Sequence, residues 1–120
     1  MRETLGEDAD NTPQGAMPLL LREIVARITA FRKPERIILF GSRARGDAHS
    51  ASDYDLLIIE ESHEPRYRRS APLYTLLADL PAEIEITVYT PQETMKWTGV
   101  EGSLVNNALR DGQVLYDGKN

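Results

Sequence analysis

Two apolar segments, joined through a glycine-serine pair and an acidic pair, constrain the fold of this chain more than any other feature. The first segment, 36–40 (RIILF), leads directly into Gly41 and Ser42, and ten residues later Asp53 and Asp55 open a second apolar run, LLII. Short apolar runs bounded by turn residues predict buried β-strands. Because side chains two residues apart on a strand lie on one face, Asp53 and Asp55 should point to the same side of the sheet.

The acidic pair and the glycine-serine pair together indicate phosphate and metal chemistry. Two carboxylates held a few ångströms apart repel one another, and a bound cation offsets that repulsion. Mg²⁺ in proteins typically takes one or two carboxylates together with substrate phosphates. A Gly-Ser turn offers backbone N–H groups and a hydroxyl to a phosphate, and a short helix from Ser42 would aim further N–H groups at it. This combination predicts a nucleotide site.

The same run resembles the signature of the nucleotidyltransferase superfamily related to DNA polymerase β, which reads Gly-Ser, ten residues, Asp-x-Asp. It is most similar to the longer form of the minimal nucleotidyltransferases (MNT), GSxARGxxxxxSDxDL, a group that includes the antitoxin partners of HEPN toxins. The positions that meet this pattern are Gly41, Ser42, Ala44, Arg45, Gly46, Ser52, Asp53, Asp55 and Leu56. The resemblance implies the nucleotidyltransferase fold, of α/β (α+β) class: a small mixed β-sheet with helices packed mainly on one face.

The resemblance also implies a third carboxylate on the strand that follows the Asp-x-Asp strand. In the segment EIEITVYTP, Glu85 stands at that position, where most members of the superfamily have Asp. Alternation along the strand places Glu83 on the same face as Glu85, so Glu83 is an alternative third ligand. The side chain of Glu is one methylene longer than that of Asp, which leaves room for a weak or inactive enzyme.

Two-metal phosphoryl transfer gives each of these residues an expected role. Asp53 and Asp55 would bridge two Mg²⁺ ions, or Mn²⁺, while Glu85 would hold the ion nearest the acceptor and take the proton of the acceptor hydroxyl. The nucleotide, expected to be ATP, would lie on the turn before them. The candidate nucleotide-binding residues are Gly41, for close backbone approach, Ser42, for a phosphate, and Arg43 and Arg45, for the pyrophosphate.

Composition restricts the class of protein. The chain has 120 residues, no cysteine and a net charge of −5, which predicts one domain over 17–120 after a flexible polar tail at 1–16. A general binder of long nucleic acid would usually be basic. The sequence has no apolar run long enough to span a membrane and no secretory signal, and the lack of cysteine fits a reducing compartment. We therefore expect a cytoplasmic protein.

Hydrophobic periodicity and turn residues predict the remaining elements. The expected helices are 18–33, 42–45, 72–80 and 102–110, the strands are 36–40, 54–60, 83–89 and 113–116, and the loops are 47–52 and 61–69. Thr90 before Pro91 is a typical helix cap. The first helix has an apolar stripe that runs to Phe31. The basic, aromatic cluster at 66–69 is most simply a solvated loop, and it is also a candidate surface for a partner.

Three functions remain open from the sequence. The small size leaves little chain for an acceptor-binding domain, which favours a hydroxyl on another protein. The resemblance to MNT antitoxins implies transfer of AMP from ATP to a tyrosine of a HEPN toxin. The alternatives are a degenerate MNT subunit that inhibits its HEPN partner by contact alone, and a transferase for small molecules of the aminoglycoside type.

Overall fold

The fold is a four-stranded sheet with helices on both faces. The computed structural model describes residues 17–46 and 53–118, so the predicted tail at 1–16 and the predicted loop at 47–52 lie outside the described residues. In chain order the elements are α1 (Leu19–Phe31), β1 (Arg36–Phe40), α2 (Ser42–Arg45), β2 (Tyr54–Ile59), α3 (Arg66–Arg69), α4 (Ala71–Leu76), β3 (Ile84–Tyr89), α5 (Pro91–Trp97), α6 (Leu104–Asp111) and β4 (Gln113–Asp117).

The sheet is mixed, as expected. Its strand order is β3-β2-β1-β4; β1 runs antiparallel to β2 and β4, whereas β2 and β3 are parallel. A parallel pair needs a crossover connection, and here α3 and α4 make it. The pairing places Asp55 between Phe40 of β1 and Glu85 of β3. The predicted fold class is thereby confirmed.

Strand β2 is buried on both faces, which explains its lack of alternation. Leu56 and Ile58 join the larger apolar cluster with α1 and α4, and Leu57 and Ile59 join a smaller cluster with Ala108 of α6. All four strand side chains are at most 2% exposed. Central strands covered on both sides have near-continuous apolar sequences. The larger core therefore lies on the α1 and α4 face, and α6 covers part of the other face.

Helix α1 ends two residues before the predicted limit. Leu21, Ile24 and Ile28 are buried as expected, but Phe31 is 52% exposed, so the prediction that its side chain belongs to the core is wrong. Arg32 is already extended, because the backbone must leave the helical region before Pro34. Phe31 instead lies under the guanidinium of Arg32, 5.6 Å from the ring centroid.

The segment 61–69 is not entirely a loop, since residues 66–69 form the short helix α3. The prediction of one exposed basic cluster also fails at Arg69, which is buried. The Arg69 guanidinium donates to the carbonyls of Glu64 and Val88, at 2.8 and 3.1 Å, and sequence spacing does not reveal such tertiary contacts. Tyr67, by contrast, is 80% exposed. Helix α4 ends at Leu76, shorter than predicted.

The last third of the chain follows the predicted pattern of elements. Thr90 caps α5: its hydroxyl accepts from the N–H of Glu93 at 3.2 Å, and the Glu93 carboxylate accepts from the N–H of Thr90 at 2.9 Å. This reciprocal pair is a capping box. Ser103 caps α6 by a single hydrogen bond, in which its hydroxyl accepts from the N–H of Asn106. Within the described residues, no helix is both long and apolar enough to cross a membrane.

Candidate active site

The three predicted acidic residues lie at one end of the sheet. Asp53 directly precedes β2, Asp55 is its second residue, and Glu85 lies beside Asp55 in the parallel register with β3. Alternation along β2 puts Asp53 and Asp55 on the face of Leu57, which is the face covered by α6. Glu85 has the same parity as Tyr89, which packs on that face too. The fold therefore brings Asp53, Asp55 and Glu85 to one patch.

The charges in this patch act on one another. Partial burial raises the pKa of the Asp55 carboxyl, and the negative charges of Asp53 and Glu85 raise it further. Arg45 acts in the opposite direction, since its positive charge favours the ionised carboxylate. Among the described residues, none of the three carboxylates has an ion-pair partner within 4 Å. The patch thus concentrates negative charge that the described chain balances only in part.

Gly41 brings the backbone of the turn against the Asp55 carboxylate. Its backbone angles, φ 79° and ψ −159°, lie in a region that is essentially open to glycine alone. A Cβ at this position would collide with the Oδ2 atom of Asp55. A glycine is therefore required both by the conformation of the turn and by the close approach of the carboxylate.

The short helix α2 follows this turn. The N–H groups of Ala44 and Arg45 both donate to the carbonyl of Gly41 at 3.1 Å, and the N–H of Gly46 donates to that of Ser42 at 3.1 Å. The hydroxyl of Ser42 makes no hydrogen bond to any residue in the described ranges. Ser42 is half-buried and directly follows Gly41, whose backbone adjoins the Asp55 carboxylate.

The two candidate arginines take different positions. Arg45 lies close enough to Asp55 to affect its pKa, and together with Arg110, which has the larger effect, it lowers the pKa of Asp111 at the end of α6. Arg43 instead stacks on the ring of Tyr54, 4.1 Å from the centroid. Tyr54 packs with the larger cluster, on the opposite face of the sheet from the carboxylates. Arg45 is thus the arginine nearer to the patch.

Glu85 and Glu83 also differ in position. Glu85 lies directly beside Asp55, whereas Glu83 precedes the first residue of β3. The carbonyl of Glu83 accepts from the N–H of Tyr54 at 2.9 Å, which anchors its backbone next to the start of β2. Both side chains are exposed. The register therefore favours Glu85 as the neighbour of the aspartate pair.

The three side chains of this patch are of the chemical type that binds a hard cation. All three are carboxylates, the oxygen ligands that Mg²⁺ and Mn²⁺ accept. Burial first, and then the negative charges of Asp53 and Glu85, raise the pKa of Asp55, and a bound cation would favour its ionised form. Over residues 17–46 and 53–118, however, no group of three or more acidic or histidine side chains is already arranged around a metal position. The ligand types are present, and the side chains are not preassembled.

A second charged cluster lies at the other end of β2 and β3, and sequence reasoning missed it. Arg32 pairs with Glu60 at 2.6 Å, and Arg69 pairs with Glu93 through two contacts of 2.7 and 3.1 Å. Arg69 holds the pKa of Glu93 down at about 2. A usable signal was the spacing of Thr90 and Glu93, which marks a capping box and so a fixed carboxylate.

Comparison with known proteins adds three findings. The family model described as nucleotidyltransferase domain matches residues 21–114. A crystal structure of a candidate nucleotidyltransferase from Sulfolobus solfataricus is similar in fold, with a TM-score of 0.62 and 22% identity over 89% of this chain and 86% of that chain. No curated protein matches the sequence significantly. Since the family model spans most of the sequence, the chain belongs to the nucleotidyltransferase domain family, within the DNA polymerase β-like superfamily.

Proposed function

We propose that this nucleotidyltransferase moves AMP from ATP to a hydroxyl of a partner protein, a tyrosine of a HEPN-type toxin, and acts as its antitoxin. The observation that carries the proposal is the environment of Asp55. Its carboxylate adjoins Gly41, lies beside Glu85 in the sheet and has a pKa raised by burial, Asp53 and Glu85. The MNT-like pattern GSxARG followed by SDxDL supports the antitoxin assignment.

The reaction would follow from how these residues handle charge. Asp53, Asp55 and Glu85 would hold two Mg²⁺ ions, or Mn²⁺, and bound divalent ions neutralise phosphate charge and lower the pKa of an attacking hydroxyl. Gly41 and Ser42 would bind the phosphates, through the open backbone of the turn and the hydroxyl. Arg45 would stabilise the pyrophosphate, since guanidinium groups suit phosphate oxygens. Arg43 would contribute only by leaving its stack on Tyr54.

Bond changes in this reaction balance without a further reactant. The acceptor oxygen attacks the α-phosphorus of ATP, the bond to the β-phosphate oxygen breaks, and pyrophosphate leaves. Glu85, the exposed carboxylate beside Asp55, would accept the proton of the acceptor hydroxyl. Because Asp53 and Glu85 are both exposed, the patch is open to an acceptor carried on a large molecule.

A mass measurement tests the proposal. The purified chain is mixed with a HEPN protein as the candidate partner, Mg²⁺ and ATP, and the HEPN protein should gain the mass of one AMP residue for each modified tyrosine. Its ribonuclease activity should fall in parallel. The matched control is the Asp53→Asn/Asp55→Asn double variant, which should add no mass. If both proteins silence the toxin equally without a mass change, inhibition by contact alone replaces the enzymatic proposal.

A further inference from the structure

An open groove of about 420 Å³ lies along the outer edge of β3. The edge of the strand forms one wall, and α3 together with the residue that follows it forms the other. The lining residues are Arg66, Tyr67, Ser70, Ile86, Thr87 and Val88. The volume is within the range of ligand-binding clefts, and we call this feature the α3 groove.

The backbone groups of Ile86 and Val88 point away from β2. The carbonyls of Glu83 and Tyr89 accept hydrogen bonds from β2. Because the direction of the backbone groups alternates along a strand, the even-numbered residues between them face outward. The side chains of Ile86 and Val88 are buried in the larger cluster, which leaves their backbone to form the wall of the groove.

Side chains of the protein already bind two of these four outward backbone groups. The hydroxyl of Tyr74 accepts from the N–H of Ile86 at 2.8 Å, and the guanidinium of Arg69 donates to the carbonyl of Val88 at 3.1 Å. The N–H of Val88 makes no hydrogen bond to any residue in the described ranges, and the carbonyl of Ile86 has only a long contact of 3.5 Å with Tyr74. These two groups flank Thr87, and they match the N–H and C=O of one residue in an extended segment.

The opposite wall of the groove carries an exposed positive charge. The guanidinium of Arg66 lies over the ring of Tyr89, 4.6 Å from the centroid, and donates to its hydroxyl at 3.4 Å. Among the described residues, no carboxylate lies within 4 Å of this guanidinium, so most of its five N–H donors remain available. The hydroxyl of Ser70 also makes no hydrogen bond within the described part of the chain. None of the six lining residues is acidic, so the groove complements a negatively charged ligand.

We propose that the α3 groove binds an extended acidic segment of the partner protein. One residue of the segment pairs with the backbone on either side of Thr87, and a neighbouring carboxylate binds Arg66. A nucleic-acid strand is also negatively charged, but it has no backbone amide to pair with the strand edge, and the net charge of −5 opposes its binding.

The position of the groove relates it to the acidic patch. Thr87 lies on the same face of the sheet as Glu85, two residues further along β3, which corresponds to about 7 Å. A segment bound in the groove would therefore hold the rest of the partner protein beside the patch. The identity of the partner as a substrate rests on the proposed function, whereas binding of the acidic segment is measured without nucleotide.

Peptide titrations test the groove directly. Three fluorescein-labelled hexapeptides are compared by anisotropy: alternating Val and Glu, alternating Val and Gln, and the Val-Glu peptide with every backbone amide methylated. The Val-Glu peptide should bind at least about tenfold more tightly than either of the others, because it alone has both the charge and the amide donors. Equal affinity for the three peptides, or no binding of the Val-Glu peptide, overturns the inference. Binding of a uridine dodecamer in place of the Val-Glu peptide overturns it in favour of RNA.

Variants of α3 test the location. Arg66→Glu should weaken binding of the Val-Glu peptide about tenfold, and Arg66→Lys, which keeps the charge, should stay within about threefold of wild type. Arg68→Glu is the matched control, because Arg68 is on the same helix and exposed but does not line the groove. Thermal unfolding of each variant confirms that it is folded. Equal losses at positions 66 and 68 would indicate general electrostatic attraction and overturn the assignment to the groove.

Kinetics with the candidate HEPN protein separate this inference from the proposed function. Where the wild type transfers AMP to that protein, Arg66→Glu should raise its KM about tenfold and leave kcat and the affinity for ATP unchanged. An unchanged KM overturns the groove as the docking site for the partner, and the proposed function survives. If the wild type labels no protein, the proposed function fails, and the peptide titrations still decide whether the groove binds an acidic segment.

Discussion

The two ends of the β2–β3 pair hold charged side chains in opposite ways. Where the strands begin, Asp53, Asp55 and Glu85 bring together charges of one sign. Where the strands finish, each of two carboxylates meets an arginine: Glu60 pairs with Arg32, and Glu93 with Arg69. At this second end, which we call the paired end, the charges are balanced within the chain. At the first end, which we call the acidic end, the negative charge is balanced only in part, which is the arrangement expected of a site that is completed by a cationic or phosphate-bearing ligand.

The paired end joins separate parts of the fold. Arg69 of α3 contacts the carbonyl of Val88 in β3 and the carboxylate of Glu93 in α5, and its own carbonyl accepts from Arg32 at 3.1 Å. These contacts fix α3 and α5 against the end of the sheet. The Oε1 atom of Glu60 is buried and has no hydrogen-bond partner among the described residues, so its pairing with Arg32 is incomplete. This end is expected to affect stability rather than catalysis.

The largest expected effect concerns the acidic end. Asp53→Asn with Asp55→Asn should lower nucleotidyl transfer about a thousandfold, because metal ions stabilise such a transition state by several kcal/mol. The melting temperature should stay the same or rise, since the change removes repulsion. Transfer is measured by release of pyrophosphate, and Glu101→Gln, at an exposed position, serves as the control. Full activity in the double variant would refute the site.

A substitution at the paired end should lower stability and leave nucleotidyl transfer unchanged. Arg69→Met leaves the Glu93 carboxylate without its guanidinium, and loss of one partner from a buried pair should lower the free energy of unfolding by about 3 kcal/mol. The side chain of Glu93 is 30% exposed, so the effect should be at the low end of the range for such pairs. Transfer per folded molecule should be unchanged. A normal urea midpoint would show that Arg69 is not a structural residue.

Local sequence patterns predict the acidic end, which depends on strands and turns, better than the paired end. Asp53 and Asp55 lie two residues apart in one continuous run that starts at Gly41, so periodicity brings them to one face. The position of Glu85 beside them is what the family resemblance implies, and the parallel register of β2 and β3 agrees with it. The paired end is assembled from α1, α3 and α5, and its partners Arg69 and Glu93 are distant in sequence. No local signal joins them, so the sequence predicts a solvated loop at 66–69.

Packing also decides details that periodicity leaves open. The helical stripe of α1 continues to Phe31, yet the helix ends there and the ring is exposed. Residue type alone makes both Arg43 and Arg45 candidates for the pyrophosphate, but Arg43 stacks on Tyr54 on the far face of the sheet. An open hollow of about 550 Å³ between Tyr74, Ala78 and Glu85 arises where α4 docks on β3, so nothing in the sequence of either element predicts it.

Two glycines of the turn near the acidic end differ in the space that a side chain would have. Gly41 and Gly46 both have positive φ, of 79° and 82°, but a Cβ at Gly41 meets the Asp55 carboxylate, whereas one at Gly46 has nothing within 4 Å. Gly41→Ala should therefore cost about 2–3 kcal/mol of stability and most of the transfer activity, and Gly46→Ala about 1 kcal/mol. Urea unfolding of the two variants checks the ranking, and equal costs would contradict it.

The third carboxylate should show a smaller, kinetic effect. Glu85→Gln should lower the rate of transfer about a hundredfold, the low end for loss of a proton acceptor, with little change in affinity for ATP. Glu83→Gln should stay within about twofold, because Glu83 precedes β3 and does not lie beside Asp55. Single-turnover rates and nucleotide titrations separate the two quantities. The reverse ranking would transfer the role to Glu83.

Acid should affect the two ends with opposite sign. The pKa of Glu93 falls from 4.5 to about 2 in the folded protein, chiefly through the hydrogen bond from Arg69. Stability from this group is therefore complete above about pH 4.5 and is lost as the pH falls toward 2. Solvent screening at a side chain with 30% exposure reduces the contribution to about 1 kcal/mol.

The Asp55 carboxyl should act in the opposite direction, because its folded pKa is raised by burial and by its acidic neighbours. A carboxyl that binds its proton more tightly when folded stabilises the protein as the pH falls through that raised pKa. In metal-free buffer, Asp55→Asn should therefore steepen the acid loss of melting temperature, and Glu93→Gln should flatten it. Melting curves at several values between pH 7 and 3 measure both slopes. Parallel curves for wild type and both variants would mean that neither end titrates as the geometry requires.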